Sequence, residues 1–179
     1  MTDYKFCSMK KEDLGFCTAL VDASFEKNMG NLTHDYESKN IFNPPWSWYN
    51  QKNLHFYTLL YKNKIIAYVI WRIKNKISHL HSFLVSADFQ RKGIGTLLLK
   101  YYEEKSLEVQ PKLKFFTLHT YDDTKYNHIF YSKNNYVKYR NRDEYKYSYL
   151  NDWIENCKNH NDWPLRNNKV LFYKLNNNK

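Results

Sequence analysis

The 179-residue chain is poor in residues that break regular structure, with four glycines and four prolines. That scarcity excludes long linkers and glycine-rich arms, so each glycine needs a local reason. Cysteine is scarce as well. Cys7, Cys17 and Cys157 are odd in number and form no CxxC pair, which argues against a disulfide framework or a paired-cysteine metal knuckle. Reduced thiols in a cytoplasmic protein are expected. No apolar run approaches the ~18 residues of a membrane helix. The start, MTDYKFCSMKKEDL, lacks the apolar core of a signal peptide. Neither a membrane nor an export route is therefore expected. Acidic residues are in deficit, 18 against 28 Lys and Arg, for a net charge of +10. The cations are scattered rather than gathered into one stripe. They suit anionic ligands such as phosphates, and no specific nucleic-acid partner is expected.

What the chain does have is apolar and aromatic mass, 42% and 18% of residues, enough for one domain with a core. Residues 4–9 alternate as a short strand, and KKEDLGFCTALVDASFEK places Leu14, Cys17, Leu20, Val21 and Phe25 at helical spacing. Residues 28–53 read as irregular. LHFYTLLY, IIAYVIWRI and ISHLHSFLV are three strands joined by short KNK turns, an antiparallel meander. From Gly93 the period changes, with Ile94, Leu97, Leu98, Tyr101 and Tyr102 on one helical face and Pro111 beyond the end. LKFFTLHT is a strand, and DDTKYNHIFYSKNN a helix capped near Asp123. YVKYR is a strand. Tyr149, Leu150, Trp153, Ile154 and Cys157 suggest an amphipathic helix inserted within 143–168, and KVLFYKL is the last strand. The order implies an α+β fold in a single domain over 1–175, with 176–179 a disordered tail.

The joint between the third meander strand and its helix reads QRKGIGT. Helix-start N–H groups lack partners and carry the positive end of the helix dipole. A phosphate placed there accepts several hydrogen bonds, and glycine permits close approach. Gly93 and Gly95 fall at this joint, with Arg91 and Lys92 as cations and Thr96 as a hydroxyl.

Gln90, Arg91, Lys92, Gly93, Ile94 and Gly95 together resemble the Q/R-x-x-G-x-G/A signature of the GNAT superfamily of acyl-CoA-dependent N-acyltransferases. FYSKNNY, residues 130–136, resembles that family's F-Y-x-x-x-G-F, with Asn135 for the glycine and Tyr136 for the phenylalanine. The resemblance is specific over residues 77–136. It implies a mixed, mostly antiparallel sheet of about seven strands flanked by helices. It implies acetyl-CoA as acyl donor, its pyrophosphate held from Gln90 to Thr96 and its pantetheine arm beside the backbone of Leu84 and Val85; no metal is expected, since His79 and His81 are only two ligands. Many members carry an asparagine seven residues before the tyrosine, where this chain has Thr124.

Transfer to an amine needs a base, an oxyanion site and a proton for the leaving thiolate. Tyr131 matches the family tyrosine that acts as general acid, and a phenol of pKa ~10 is protonated at neutral pH. His79 and His81 lie two apart on a strand and so share a face with Phe83. They resemble the histidine pair of the arylalkylamine N-acetyltransferase branch, which relays the amine proton. The competing reading makes them polar residues of a half-exposed strand. Trp46, Trp48 and Tyr49 either line the acceptor side, through ring stacking or cation–π contact, or seal the core. The expected activity is acetyl transfer to a primary amine of a small molecule, by a monomer or homodimer. Acetylation of a protein N-terminus or lysine, and a non-catalytic acyl-CoA-binding module, are the alternatives.

Overall fold

The meander forms as its alternation predicts. In the computed structural model, residues 3–17, 19–20, 49, 53–140, 150–154 and 169–176 are described. The strands are β1 (Tyr4–Ser8), β2 (Leu54–Tyr61), β3 (Lys64–Lys74), β4 (Ile77–Val85), β5 (Phe115–Tyr121), β6 (Val137–Lys138) and β7 (Lys169–Leu175). Two helices have defined bounds, α1 (Ile94–Val109) and α2 (Lys125–Lys133). The seven strands lie in the order β1-β2-β3-β4-β5-β7-β6, and the pairings β1–β2, β2–β3, β5–β7 and β6–β7 are antiparallel. This is the mixed, mostly antiparallel α+β sheet that the sequence implies.

The fold groups into two compact units, Met1–Ile73 with Leu80–Val109, and Lys74–His79 with Gln110–Lys179. In the first unit, β2 and β3 join through Lys62 and Asn63, whose φ values of 49° and 63° are both positive. That is the backbone of a two-residue hairpin turn whose twist matches its strands. Residues 13–17 are helical. Leu14 and Cys17 are buried there with Met9, Phe56, Tyr68 and Ile70. Trp71, fully buried, meets the rings of Tyr57 at 5.2 Å and Tyr102 at 5.5 Å. Helix α1 buries Ile94, Leu98, Leu99, Tyr102 and Ser106. The buried stripe is thus turned from the expected one: Leu99 is inside and Leu97 is 39% exposed, because each helical residue rotates the face by about 100°.

In the second unit β5 and β7 pair from Phe115↔Leu175 to Tyr121↔Lys169. The last strand in sequence lies between β5 and β6, and β6 is only two residues long where a five-residue strand is expected. Residues 150–154 are helical. Leu150, Trp153 and Ile154 are buried with Ile77, Phe115, Leu171 and Tyr173, which supports the amphipathic reading for these positions. Tyr149 and Cys157 lie outside the described residues. No helix among the described residues is long and apolar enough to cross a membrane.

Candidate active site

In the first unit β4 ends at Val85 and the chain turns through a short 3-10 segment, Ala87–Phe89, before α1 begins. Two side-chain and backbone ties shape the turn. The Ser86 N–H donates to the Ile66 carbonyl at 2.8 Å, and the Gln90 side-chain amide donates to the Val85 carbonyl at 3.0 Å. Gln90 thus braces the turn. Arg91 and Gly93 take φ of 60° and 80°, so the chain crosses the left-handed region twice within three residues. A Cβ added at Gly93 would meet nothing within 4 Å. The first helical bond of α1 runs from the Leu97 N–H to the Gly93 carbonyl, and the N–H groups ahead of it have no acceptor within a helix. Arg91, Lys92 and Gly93 are exposed, and Lys92 reaches over the Phe89 ring. An open backbone surface, a helix dipole and two cations fit a phosphate group.

Leu84 packs against the core of Met9, Leu14 and Tyr68, and Val85 is buried. Tyr49 has a packing role: its hydroxyl donates to the Met9 carbonyl at 3.1 Å and its ring lies 5.4 Å from Phe56. Trp46 and Trp48 lie outside the described residues. Phe83 is half-buried on β4. His81 is also half-buried. Burial, followed by the Arg72 guanidinium, pushes its pKa down to about 3, so it is neutral across the physiological range. That differs from a histidine titrating near neutrality, the basis for expecting His81 to exchange a proton at pH 6–7.

In the second unit, α2 carries Tyr131 as its buried residue. The rings of Phe130, Tyr136 and Phe172 surround it at 5.1–6.0 Å. Burial pushes its phenol pKa well above the ordinary value, so Tyr131 is protonated at neutral pH. The helix ends as the FYSKNNY signature requires. Asn135 takes φ of 67° in the position of the family glycine, and the N–H groups of Asn134 and Tyr136 both donate to the Tyr131 carbonyl at 3.0 Å. At the other end the cap falls on Thr124 instead of Asp123. The Thr124 hydroxyl donates to the Tyr121 carbonyl at 2.7 Å and accepts from the Asn127 amide at 3.2 Å. Asp122 instead pairs with Lys138 at 2.6 Å.

His79 is buried. One ring nitrogen, Nδ1, lies 2.9 Å from the Thr117 hydroxyl, and the other, Nε2, lies 3.3 Å from Nδ1 of His119. Trp153 lies 5.3 Å from the same ring. The partner histidine of His79 in this unit is therefore on β5, a residue that a search within one strand could not find. The signal was present in LKFFTLHT, but its alignment with β4 depends on a register that local pattern does not encode.

These features match a known family. The description "Acetyltransferase (GNAT) family" matches residues 17–136, and the chain belongs to that family of acyltransferases. Solved structures agree on the fold. PaiA N-acetyltransferase of Thermoplasma acidophilum, in complex with coenzyme A, is similar at TM-score 0.69 and 12% identity over 98% of this chain and 100% of that one. The ribosomal-protein-S18-alanine N-acetyltransferase of Escherichia coli is similar at TM-score 0.60 and 15% identity over 98% of each chain. A chimeric spermidine N-acetyltransferase from Vibrio cholerae is similar at TM-score 0.63 and 13% identity over 97% and 96%. No curated protein matches the chain.

Proposed function

We propose that this chain, acting as one domain over residues 1–175, transfers the acetyl group of acetyl-CoA to a primary amine of a small molecule. The observation that carries this reading is the start of α1, where Gly93 sits at φ 80° with open space at its Cβ, between Lys92 and an unsatisfied helix terminus. Gly93, Ile94, Gly95 and Thr96 would offer backbone N–H groups to the cosubstrate's diphosphate, and Arg91 and Lys92 would supply charge. Leu84 and Val85 would border the pantetheine arm. The relatives with coenzyme A bound and with spermidine in their name support a soluble cosubstrate and a small amine, and the S18-alanine enzyme keeps a protein N-terminus as the alternative acceptor. The reading includes the cytoplasm as the site of action and a monomer or homodimer as the working form.

In the reaction the free amine forms a C–N bond with the thioester carbon, the C–S bond breaks, and the sulfur leaves with a proton. Tyr131 is proposed to donate that proton, since burial keeps its phenol protonated. The base is proposed to be a histidine of β4, and His79 is the candidate because His81 is held neutral by burial and Arg72. Phe83, Tyr49, Trp46 and Trp48 are proposed to border the acceptor, with Tyr49 acting through the packing described above.

Calorimetry with acetyl-CoA and with acetyl-pantetheine, which lacks the diphosphate, tests the reading. Acetyl-CoA should bind far more tightly. Gly93→Val should weaken acetyl-CoA by more than about tenfold, roughly 1.4 kcal/mol, and leave acetyl-pantetheine unaffected. Equal affinity of the two donors, or an unchanged acetyl-CoA affinity in a folded Gly93→Val protein, would reject the turn as the diphosphate site.

A further inference from the structure

We propose that the Ser82 hydroxyl, held in place by the Tyr68 phenol, is a side-chain donor that stabilises the thioester oxygen of acetyl-CoA during transfer. This rests on the acetyltransferase reading and supplies the oxyanion contact that such a transfer needs beside its base and acid.

Tyr68, on β3, is 1% exposed, and its phenol oxygen lies 3.0 Å from Oγ of Ser82 on β4. Burial raises the phenol pKa above its ordinary value, so the phenol keeps its proton. The Cys17 thiol of the same buried cluster is pushed up to about 12 by burial and then by Asp13, so it brings no charge. The direction of the bond follows. Among the described residues the Tyr68 hydroxyl has Ser82 as its one hydrogen-bond partner. If Ser82 donated, the phenolic proton would sit in a closed core with no acceptor, which costs more than an ordinary hydrogen bond gains. Tyr68 therefore donates and Ser82 accepts.

A serine hydroxyl has one proton and two lone pairs. With one lone pair engaged by Tyr68, the Ser82 proton is left to donate, and among the described residues Ser82 makes no second side-chain hydrogen bond. Ser82 is half-buried, so it stands at the edge of the core. Ser82 and Leu84 lie two apart and share a strand face, and Leu84 packs against the cluster that contains Tyr68. Beyond them β4 ends at Val85 and leads to the turn proposed for the diphosphate. The thioester is at the opposite end of the donor from the diphosphate. An arm bordered by Leu84 and Val85 carries it back along β4 toward Ser82, which precedes Leu84 by about 7 Å of strand.

In the transfer, the amine nitrogen bonds the thioester carbon and the C=O electron pair moves onto oxygen. That oxygen gains negative charge and accepts a hydrogen bond from Ser82, whose proton stays on Oγ. Donation from Tyr68 polarises the serine hydroxyl and strengthens it as a donor. Collapse restores the C=O bond and breaks the C–S bond. The nitrogen loses one proton to the base, the sulfur gains one, and Ser82 and Tyr68 end as they began. Ser82 is the catalytic residue and Tyr68 a positioning residue acting through it.

Infrared spectra of bound acetyl-CoA, carrying 13C at the acetyl carbonyl and with no acceptor present, read the contact directly. The thioester C=O stretch should lie lower in wild type than in Ser82→Ala, with Tyr68→Phe between them. One frequency shared by wild type and Ser82→Ala would overturn the proposal. With an amine that the wild type acetylates, Ser82→Ala should lose ~10²–10³-fold in kcat and keep its affinity for acetyl-CoA. Ser82→Ala also leaves the Tyr68 proton without its acceptor, so its stability falls. Combining Ser82→Ala with Tyr68→Phe removes donor and acceptor together and should restore that stability. An oxyanion donor predicts that the double variant stays as slow as Ser82→Ala. Recovery of wild-type kcat in the double variant would show that the pair serves packing alone and would overturn the proposal. A wild type that binds no acetyl-CoA, or acetylates no amine, would instead count against the acetyltransferase reading.

Discussion

The side-chain amide of Gln90 donates to the carbonyl of Val85 at 3.0 Å. This bond closes the turn between β4 and α1, and the path of Arg91 and Gly93 through positive φ follows it. Gln90→Ala removes this bond, a loss worth about 1 kcal/mol for one net hydrogen bond. The apparent KM for acetyl-CoA should rise roughly fivefold with kcat unchanged. A variant with lower kcat and unchanged KM would assign Gln90 to the chemical step instead of the turn.

Tyr131 should matter for rate and not for binding. Tyr131→Phe keeps the ring against Tyr136 and Phe172, so coenzyme A affinity and thermal stability should hold near wild type. Turnover should fall by ~10²–10⁴-fold if the phenol protonates the leaving sulfur. Because burial raises its pKa, Tyr131 should produce no alkaline limb below pH about 10. Turnover within a factor of about two of wild type would move the acid role elsewhere.

Asn135 shows why the FYSKNNY signature tolerates a departure from glycine. At φ 67° an L-residue bears a cost of about 1–2 kcal/mol, which asparagine offsets in part through local hydrogen bonding. Asn135→Gly should be neutral or stabilising by up to about 1 kcal/mol. Asn135→Val should destabilise by about 1–2 kcal/mol and shift Tyr131, whose carbonyl receives the N–H groups of both flanking residues. Denaturant unfolding of the two variants checks the sign, and a more stable valine variant would contradict the account.

Local pattern made most of this fold readable. β2, β3 and β4 fall where alternation and the short KNK turns place them, because period-2 burial and turn chemistry are properties of neighbouring residues. The Gly93 turn was legible for the same reason. What local pattern does not encode is which strands become neighbours. The placement of β7 between β5 and β6, and of β5 beside β4 with the meeting of His79 and His119 that follows from it, depends on long-range register. The inward face of α1 was misjudged by one residue because Leu97 and Leu99 are equally apolar, and packing alone decides between them. The cap of α2 falls on Thr124 instead of Asp123, and the Thr124 hydroxyl bonds back to the Tyr121 carbonyl.

His81 ties stability to pH. Burial and Arg72 lower its folded pKa to about 3, below the ~6.5 of an unfolded histidine. Between those values the unfolded chain binds the extra proton, so stability is full above pH about 6.5 and falls as pH drops toward 3. The slope from this one site approaches about 1.4 kcal/mol per pH unit. His81→Gln should flatten the stability profile over that window. Chemical denaturation of both proteins from pH 7 to pH 4 checks it, and parallel profiles would show that His81 is not held neutral by the fold.

The central claim is acetyl transfer from acetyl-CoA to an amine, and the most direct measurement is amine-dependent release of free coenzyme A thiol. The acceptors are aryl amines, aliphatic amines, polyamines and peptides with free N-termini, each product confirmed by mass spectrometry. The account predicts thiol release that requires a small primary amine, matches the acetylated product one to one, and is weakened by Gly93→Val and Tyr131→Phe. Tight acetyl-CoA binding with no amine-dependent thiol release across all acceptors would contradict it and leave an acyl-CoA-binding module in its place.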